Sequence, residues 1–137
     1  MFTLSVLTPE KRLLSEQEID EVVVPGFLGQ LDILPGHAPL LTTLSTGIMR
    51  YRLKGESNFY SVVVSWGYME VNPLGVVILA ETAETESEVD RSRAETSLRE
   101  STLRLTNSSP EEMEKYQRKI ERAQARLELL NVDALSH

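Results

Sequence analysis

The chain has 137 residues, no cysteine, two histidines and a net charge of -7, with 41% hydrophobic and 26% charged residues. That length suits one domain, or a domain with a small appendage, and the composition is that of a folded globular chain rather than a disordered or fibrous one. Missing thiols exclude disulfides, thiol catalysis and cysteine zinc sites, two histidines leave little for a metal centre, and the acidic balance argues against nucleic-acid or anionic-membrane partners held by bulk charge.

No run of about 18 apolar residues occurs, and MFTLSVLTPE lacks the basic and apolar regions of a signal peptide, so neither membrane insertion nor export is expected. Short β-rich runs then follow in order: FTLSVLT, IDEVVVPG, IMRYRLKG, NFYSVVVSWGYMEV and GVVILAE. In IMRYRLK, Met49, Tyr51 and Leu53 alternate with Arg50, Arg52 and Lys54, which gives one apolar and one wet face. Asn72-Pro73-Leu74-Gly75 supplies a turn between the last two runs, with proline presetting φ and glycine free to take a positive one. Between the second and third runs lies GQLDILPGHAPLL, residues 29–41, where glycine and proline interrupt aliphatic residues and no helix can form. Several short strands within about 85 residues predict an antiparallel β-sandwich.

All seven glycines lie at or before Gly75 and only Pro110 among the prolines lies after Pro73, so a boundary is expected after about residue 80. A first helix is expected from about Ser87 to Leu105, with Ala94, Leu98 and Leu105 on one stripe, followed by a polar connector at 106–109. Ser109-Pro110-Glu111-Glu112 has a capping serine, proline at the first helical position and glutamate three residues after the cap, a strong start for a second helix. Met113, Tyr116, Ile120, Ala123, Leu127 and Leu130 then repeat at spacings of 3 and 4, a heptad seam. The fold expected is therefore α+β: an N-terminal antiparallel β-sandwich over 1–86 and a C-terminal antiparallel two-helix hairpin over 87–137, whose thin seam suggests more than one docked state.

Candidates for chemistry are few. A general base needs an orienting carboxylate and a nucleophile at a shared site, and the sequence around His37 supplies neither, so a turn histidine packing against neighbours or a partner is the plainer reading. His137 is terminal. No P-loop or GxGxxG pattern is present, so no catalytic residue and no metal site is assigned. Lys115, Lys119, Arg122 and Arg126, spaced 4, 3 and 4, form one basic stripe beside the seam. It reads either as a solvated face balanced by Glu121 and Glu128, or as a cluster that grips a phosphate or carboxylate.

VLTPEK at 6–11, GQLDILPGHAPLLTTLSTG at 29–47, SWGYMEV at 65–71 and VVILAETAE at 76–84 resemble, in order and spacing, the epsilon subunit of bacterial and chloroplast F-type ATP synthases, called delta in mitochondria. The resemblance implies a non-catalytic rotor subunit without a required cofactor, peripheral at the cytoplasmic face of the inner membrane. Its sandwich would bind the gamma subunit and the c-subunit ring through Gln30, Leu31, Asp32, Pro35, His37, Leu40 and Leu41. Family members usually have glycine where this chain has Asp32. The hairpin of bacterial relatives inhibits ATP hydrolysis when extended into the alpha/beta catalytic head, and the resemblance gives Lys115, Lys119, Arg122 and Arg126 the role of facing an acidic segment there. ATP as a regulatory ligand is implied by matches at Glu84, Val89, Asp90, Arg93, Ala94, Arg122 and Arg126, although Glu100 stands where ATP-binding relatives have arginine. Arg99 beside it points about 100° away on a helix. Two other readings stay open on the residues alone: a β-sandwich adaptor with a coiled-coil hairpin, and a small hydrolase built on His37.

Overall fold

A computed structural model describes residues 1–135, with side chains as far as Asn131. His137 lies outside the described residues. The chain divides into two compact units, Met1–Glu84 and a second that begins at Thr85.

The first unit contains seven strands: β1 (Thr3–Leu7), β2 (Arg12–Gly26), β3 (Gly29–Ile33), β4 (Leu40–Leu44), β5 (Gly47–Leu53), β6 (Phe59–Asn72) and β7 (Gly75–Thr85). They form a continuous sheet in the order β1-β7-β6-β4-β2-β3, with β5 pairing β2 and β6 and with β1 also pairing β2, so the sheet folds over on itself as a sandwich. Inward residues from nearly every strand fill the space between the layers: Leu4, Val22, Ile33, Met49, Met69 and Ile78 are each without accessible surface. In β5 the alternation read from IMRYRLK holds at Met49, which is buried, and Arg50, which is exposed. Tyr51 is half-buried and stacks on Tyr60 with centroids 5.4 Å apart.

Two features depart from the expected sandwich. The strand expected from Ile19 begins at Arg12, because Arg12–Glu18 pairs antiparallel with β1 through the Thr8–Lys11 turn, and Glu16 at φ 48 sits among the register shifts of that pairing. Second, β1 and β7 are parallel, Leu4 beside Val76 and Val6 beside Ile78, while the other described registers are antiparallel. Most of the unit lies between these two strands in sequence, so no tight hairpin dictates their direction. The Asn72–Gly75 turn forms as read, with the Leu74 N–H donating to Asn72 Oδ1 at 2.8 Å.

β6 runs the length of the sheet, pairing β5 through Val64 and β4 from Gly67 onward, with Ser65 and Trp66 at the changeover. Trp66 has φ 31, and a Cβ on Gly67 would overlap the Leu79 carbonyl oxygen, so only glycine allows that backbone approach.

In the second unit a 3-10 turn at Glu86–Glu88 is closed by the Thr85 N–H donating to Glu88 Oε1 at 3.0 Å. The first helix, α1 (Arg91–Thr106), starts later than the expected Ser87. Asp90 caps it, accepting from the Arg93 N–H at 3.0 Å, a better partner for the orphan donors than another helical turn would be. The second helix, α2 (Pro110–Leu135), starts where its cap signals place it, with the Glu112 and Met113 N–H groups donating to the Ser109 carbonyl. The pair is antiparallel: Arg91 at the start of α1 donates to Asn131 near the end of α2 at 3.4 Å.

The heptad seam is only partly realised. Tyr116 and Ala123 are buried, whereas Met113 is 42% exposed. Ala125 and Leu129, off that stripe, are buried instead. A strict 3.5-residue repeat drifts against a 3.6-residue helix, and the 26-residue α2 outruns the 16-residue α1 that it packs on, so the seam does not hold over the full length. On α1 the buried positions are Ala94 and Ser101, the second of which the apolar pattern could not flag.

Candidate functional site

The sandwich presents a rigid apolar edge. Pro35 and Gly36 occupy the centre of a turn closed by the His37 N–H donating to the Leu34 carbonyl at 3.1 Å, and Gly36 takes φ 88, the type II geometry that explains both residues. The His37 ring bonds through Nδ1 to the Ala38 carbonyl at 2.7 Å, a neighbour in sequence and not a carboxylate that could orient a base. Gln30 and Asp32 are exposed on β3, an edge strand paired to β2; Leu31, His37 and Leu40 are half-buried; Pro35 is exposed and Leu41 is 72% exposed.

Next to this edge the β2–β3 hairpin turns on two residues, Phe27 and Leu28, which are 71% and 96% exposed. The Phe27 N–H donates to the Thr43 carbonyl at 3.2 Å, tying the tip to β4. Sequence reading missed this pair, although two apolar residues between Gly26 and Gly29 are the signal of an apolar turn. It also missed a shallow groove of about 460 Å³ on the outer sheet face, where Trp66, Tyr68 and Leu79 meet Leu7 and Pro9.

On the outer face of β2, β3 and β5, Arg52 joins Glu21 at 3.3 Å and Asp20 at 3.5 Å. Asp32 hydrogen-bonds Glu21 and is the main reason that the Glu21 carboxyl titrates above the ordinary value of 4.5, with partial burial adding to the rise and Arg52 opposing it.

The second unit holds a groove of about 540 Å³ between α1 and α2. Lys115, Lys119, Arg122 and Arg126 all line it, so the stripe read from spacing converges on one concave surface. Arg93 and Arg104 join them from α1, with the hydroxyls of Ser92, Thr96, Ser97 and Ser101. The ammonium groups of Lys115 and Lys119 lie 5.6 Å and 6.0 Å from the centre of the Tyr116 ring. The Arg104 pKa is raised above the usual arginine value, chiefly by its hydrogen bond with the Tyr116 phenol, with Glu100 and Glu112 adding attraction. Glu100 also lines the groove.

Of the residues matched to a nucleotide site, Arg93, Arg122 and Arg126 share this groove. Asp90 caps α1, Ala94 is buried on the same helix, Val89 closes the 3-10 turn by donating its N–H to the Glu86 carbonyl at 3.2 Å, and Glu84 lies on β7 in the first unit.

Residues 1–86 match the family model of the ATP synthase delta/epsilon chain β-sandwich domain. The ATP synthase epsilon chain of Bdellovibrio bacteriovorus is 46% identical over 127 residues, 91% of this chain and 91% of that one. An ATP synthase epsilon chain of Syntrophotalea carbinolica is 44% identical over 128 residues, covering 92% and 91%. Among solved structures, a chain of the Euglena gracilis mitochondrial ATP synthase OSCP/F1/c-ring assembly superposes with a TM-score of 0.82 at 20% identity, covering 99% of this chain and 81% of that chain. A chain from the Tetrahymena thermophila mitochondrial ATP synthase central stalk and c-ring does so at 0.63 and 13%, covering 94% and 96%. At those identities the superpositions speak to the fold alone. The sandwich, its match across 1–86 and the full-length relatives together identify the chain as a member of the ATP synthase delta/epsilon chain family.

Proposed function

We propose that the protein is a non-catalytic central-stalk subunit of a rotary ATP synthase, coupling turning of the c-subunit ring to ATP synthesis in the catalytic head. Beyond family membership, the observation that carries this reading is the rigid apolar edge made by Phe27, Leu28, the Leu34–His37 turn and Leu41. Exposed apolar surface on a fixed backbone suits a permanent partner better than a passing one. Gamma and the c ring are the partners assigned to it. No described helix is long and apolar enough to cross a membrane, so the subunit would be held at the cytoplasmic face of the inner membrane through those partners.

The hairpin is assigned a regulatory role. Folded, its basic groove takes ATP; extended, the same four cations on α2 face an acidic segment of the catalytic head and block hydrolysis. One set of side chains serves one anionic partner at a time, so bound ATP favours the folded state.

Tagged full-length chain, recovered from gently solubilised membranes, is expected to bring alpha, beta, gamma and c subunits with it by mass spectrometry. A chain ending at residue 86 is expected to assemble equally well and to raise ATP hydrolysis several-fold. Recovery of a soluble partner in place of those subunits would overturn the rotor assignment, and loss of assembly on truncation would overturn the division of roles.

A further inference from the structure

At the start of α1 the local sequence and the structure disagree, and each side of the disagreement has its own cap. Thr85 and Glu88 stand three residues apart, the signature of a capping box that opens an α-helix. The pair is joined: the Glu88 carboxylate accepts from the Thr85 N–H and the Thr85 hydroxyl, each at 3.0 Å. Glu86 and Glu88, in the turn behind that cap, suit the positive end of a helix dipole. Yet the turn opened there ends at Glu88. Val89 (φ -89, ψ 127) and Asp90 (φ -101, ψ 113) are extended, and α1 begins afresh at Arg91 under the Asp90 cap.

The later start is the poorer one electrostatically. Its first turn carries Arg91 and Arg93 and no acidic residue, so cations sit at the positive end of the dipole. The bond from the Arg93 N–H to Asp90 offsets this. A helix running unbroken from Glu86 would place both glutamates in the first turn and both arginines beyond it. It would also give the Arg91 and Ser92 N–H groups acceptors at the Ser87 and Glu88 carbonyls, which first-turn donors lack. Against those gains it loses the Asp90 cap and takes the β-branched Val89 into a helix. Only Val89 and Asp90 must leave extended backbone, because a 3-10 turn lies close to α geometry already.

We propose that residues 85–92 form a two-start segment: α1 begins at Arg91 in this structure and at Glu86 in a second, less populated state. Conversion lengthens the helix by about five residues, roughly 7.5 Å, and replaces the extended joint at Val89 and Asp90 with a rigid connection. The two starts are argued from the second unit alone. Their use as a hinge rests on the reading of the hairpin as a regulatory element: an unbroken helix from Glu86 projects the hairpin stiffly, which suits the extended, blocking arm of that switch.

Relaxation-dispersion NMR of the full chain tests the segment, since it reads exchange on the μs–ms scale. The unaltered chain is expected to show a second state on the order of 1% at the amides of 87–92, with helical shifts at Val89 and Asp90. Val89→Ala, which touches neither cap, should raise that population about threefold. Arg91→Pro should abolish it: proline suits the first residue of a helix that follows an extended residue, and breaks a helix that passes through. Arg91→Ala, which equally loses the hydrogen bond to Asn131, should keep the second state. Its absence from both the unaltered chain and Val89→Ala, or its survival in Arg91→Pro, would overturn the two-start segment. Circular dichroism checks the fold of the proline variant, and if that fails the threefold change in Val89→Ala decides alone. In the assembled synthase, Arg91→Pro should raise ATP hydrolysis at least twofold over Arg91→Ala, because the hairpin is held at its later start. Equal hydrolysis would overturn the hinge role and leave the two starts standing.

Discussion

The two units of this chain are stabilised in different ways. In the sandwich, large side chains from nearly every strand, such as Ile33, Met49, Met69 and Ile78, lose all contact with water. Among the described residues of the hairpin the buried set is mostly small: Ala94, Ser101, Ala123 and Ala125, with Tyr116 and Leu129 as its larger members. Burial stabilises in proportion to apolar area, so the sandwich is held by its core while the hairpin leans on caps and backbone hydrogen bonds. A platform for permanent partners needs the first arrangement. The regulatory role proposed for the hairpin calls for an element from the low-stability end of a structure, which is the second.

The sharpest way to break the platform is at Gly67. Gly67→Ala drives a methyl into the Leu79 carbonyl, where backbone and not a flexible side chain must yield, and should cost about 3 kcal/mol or more of sandwich stability. Trp66, the single tryptophan, reports the loss in a urea titration followed by fluorescence. A change below about 1 kcal/mol would mean that β6 and β7 separate freely at this point, which close packing argues against. On the hairpin side, Asp90→Ala removes the cap on the Arg93 N–H and should cost about 1 kcal/mol. Hydrogen exchange should show that loss across α1 while the amides of β1 to β7 keep their protection. Equal loss in both units would mean that they unfold together, and the contrast drawn between them would fail.

What could be read from the sequence follows the same contrast. Alternation in IMRYRLK gave the faces of β5, and Asn72–Gly75 gave its turn, because both signals are local. The parallel pairing of β1 with β7 and the strand over Arg12–Glu18 were not legible, since each is imposed by a partner distant in sequence or by a bulge that breaks the period of two. In the hairpin, a spacing of 4, 3 and 4 placed Lys115, Lys119, Arg122 and Arg126 on one surface. The groove needed α1 as well, and its inward Ser101 carries no signal in apolar periodicity. Phe27 and Leu28 escaped notice for the opposite reason: apolar residues are read as core, yet a two-residue hairpin turn leaves them no core to enter.

The smallest expected effect lies at the edge strand of the platform. Asp32 hydrogen-bonds Glu21 across β2 and β3 and raises the Glu21 pKa above 4.5, against the pull of Arg52. A carboxyl whose pKa is raised on folding binds its proton more tightly in the folded chain. Its contribution is therefore present below the unfolded value and is lost as pH rises through the raised one. Asp32→Asn removes the largest cause, so Glu21 should titrate closer to 4.5 and that loss should shrink. The variant is expected to gain slightly in urea midpoint over the unaltered chain at pH 7, with the difference between the two midpoints narrowing at pH 4. Asp32 is exposed and Glu21 only half-buried, so water screens the effect and keeps it below that of Asp90→Ala. An identical offset at both pH values would assign the change to packing of the new side chain and not to the shared proton. Because Asp32 lies on the surface assigned to the stalk partners, the same variant shows whether the edge tolerates the carboxylate for binding or only in spite of it: unchanged recovery of gamma and the c ring would place the pair outside the contact.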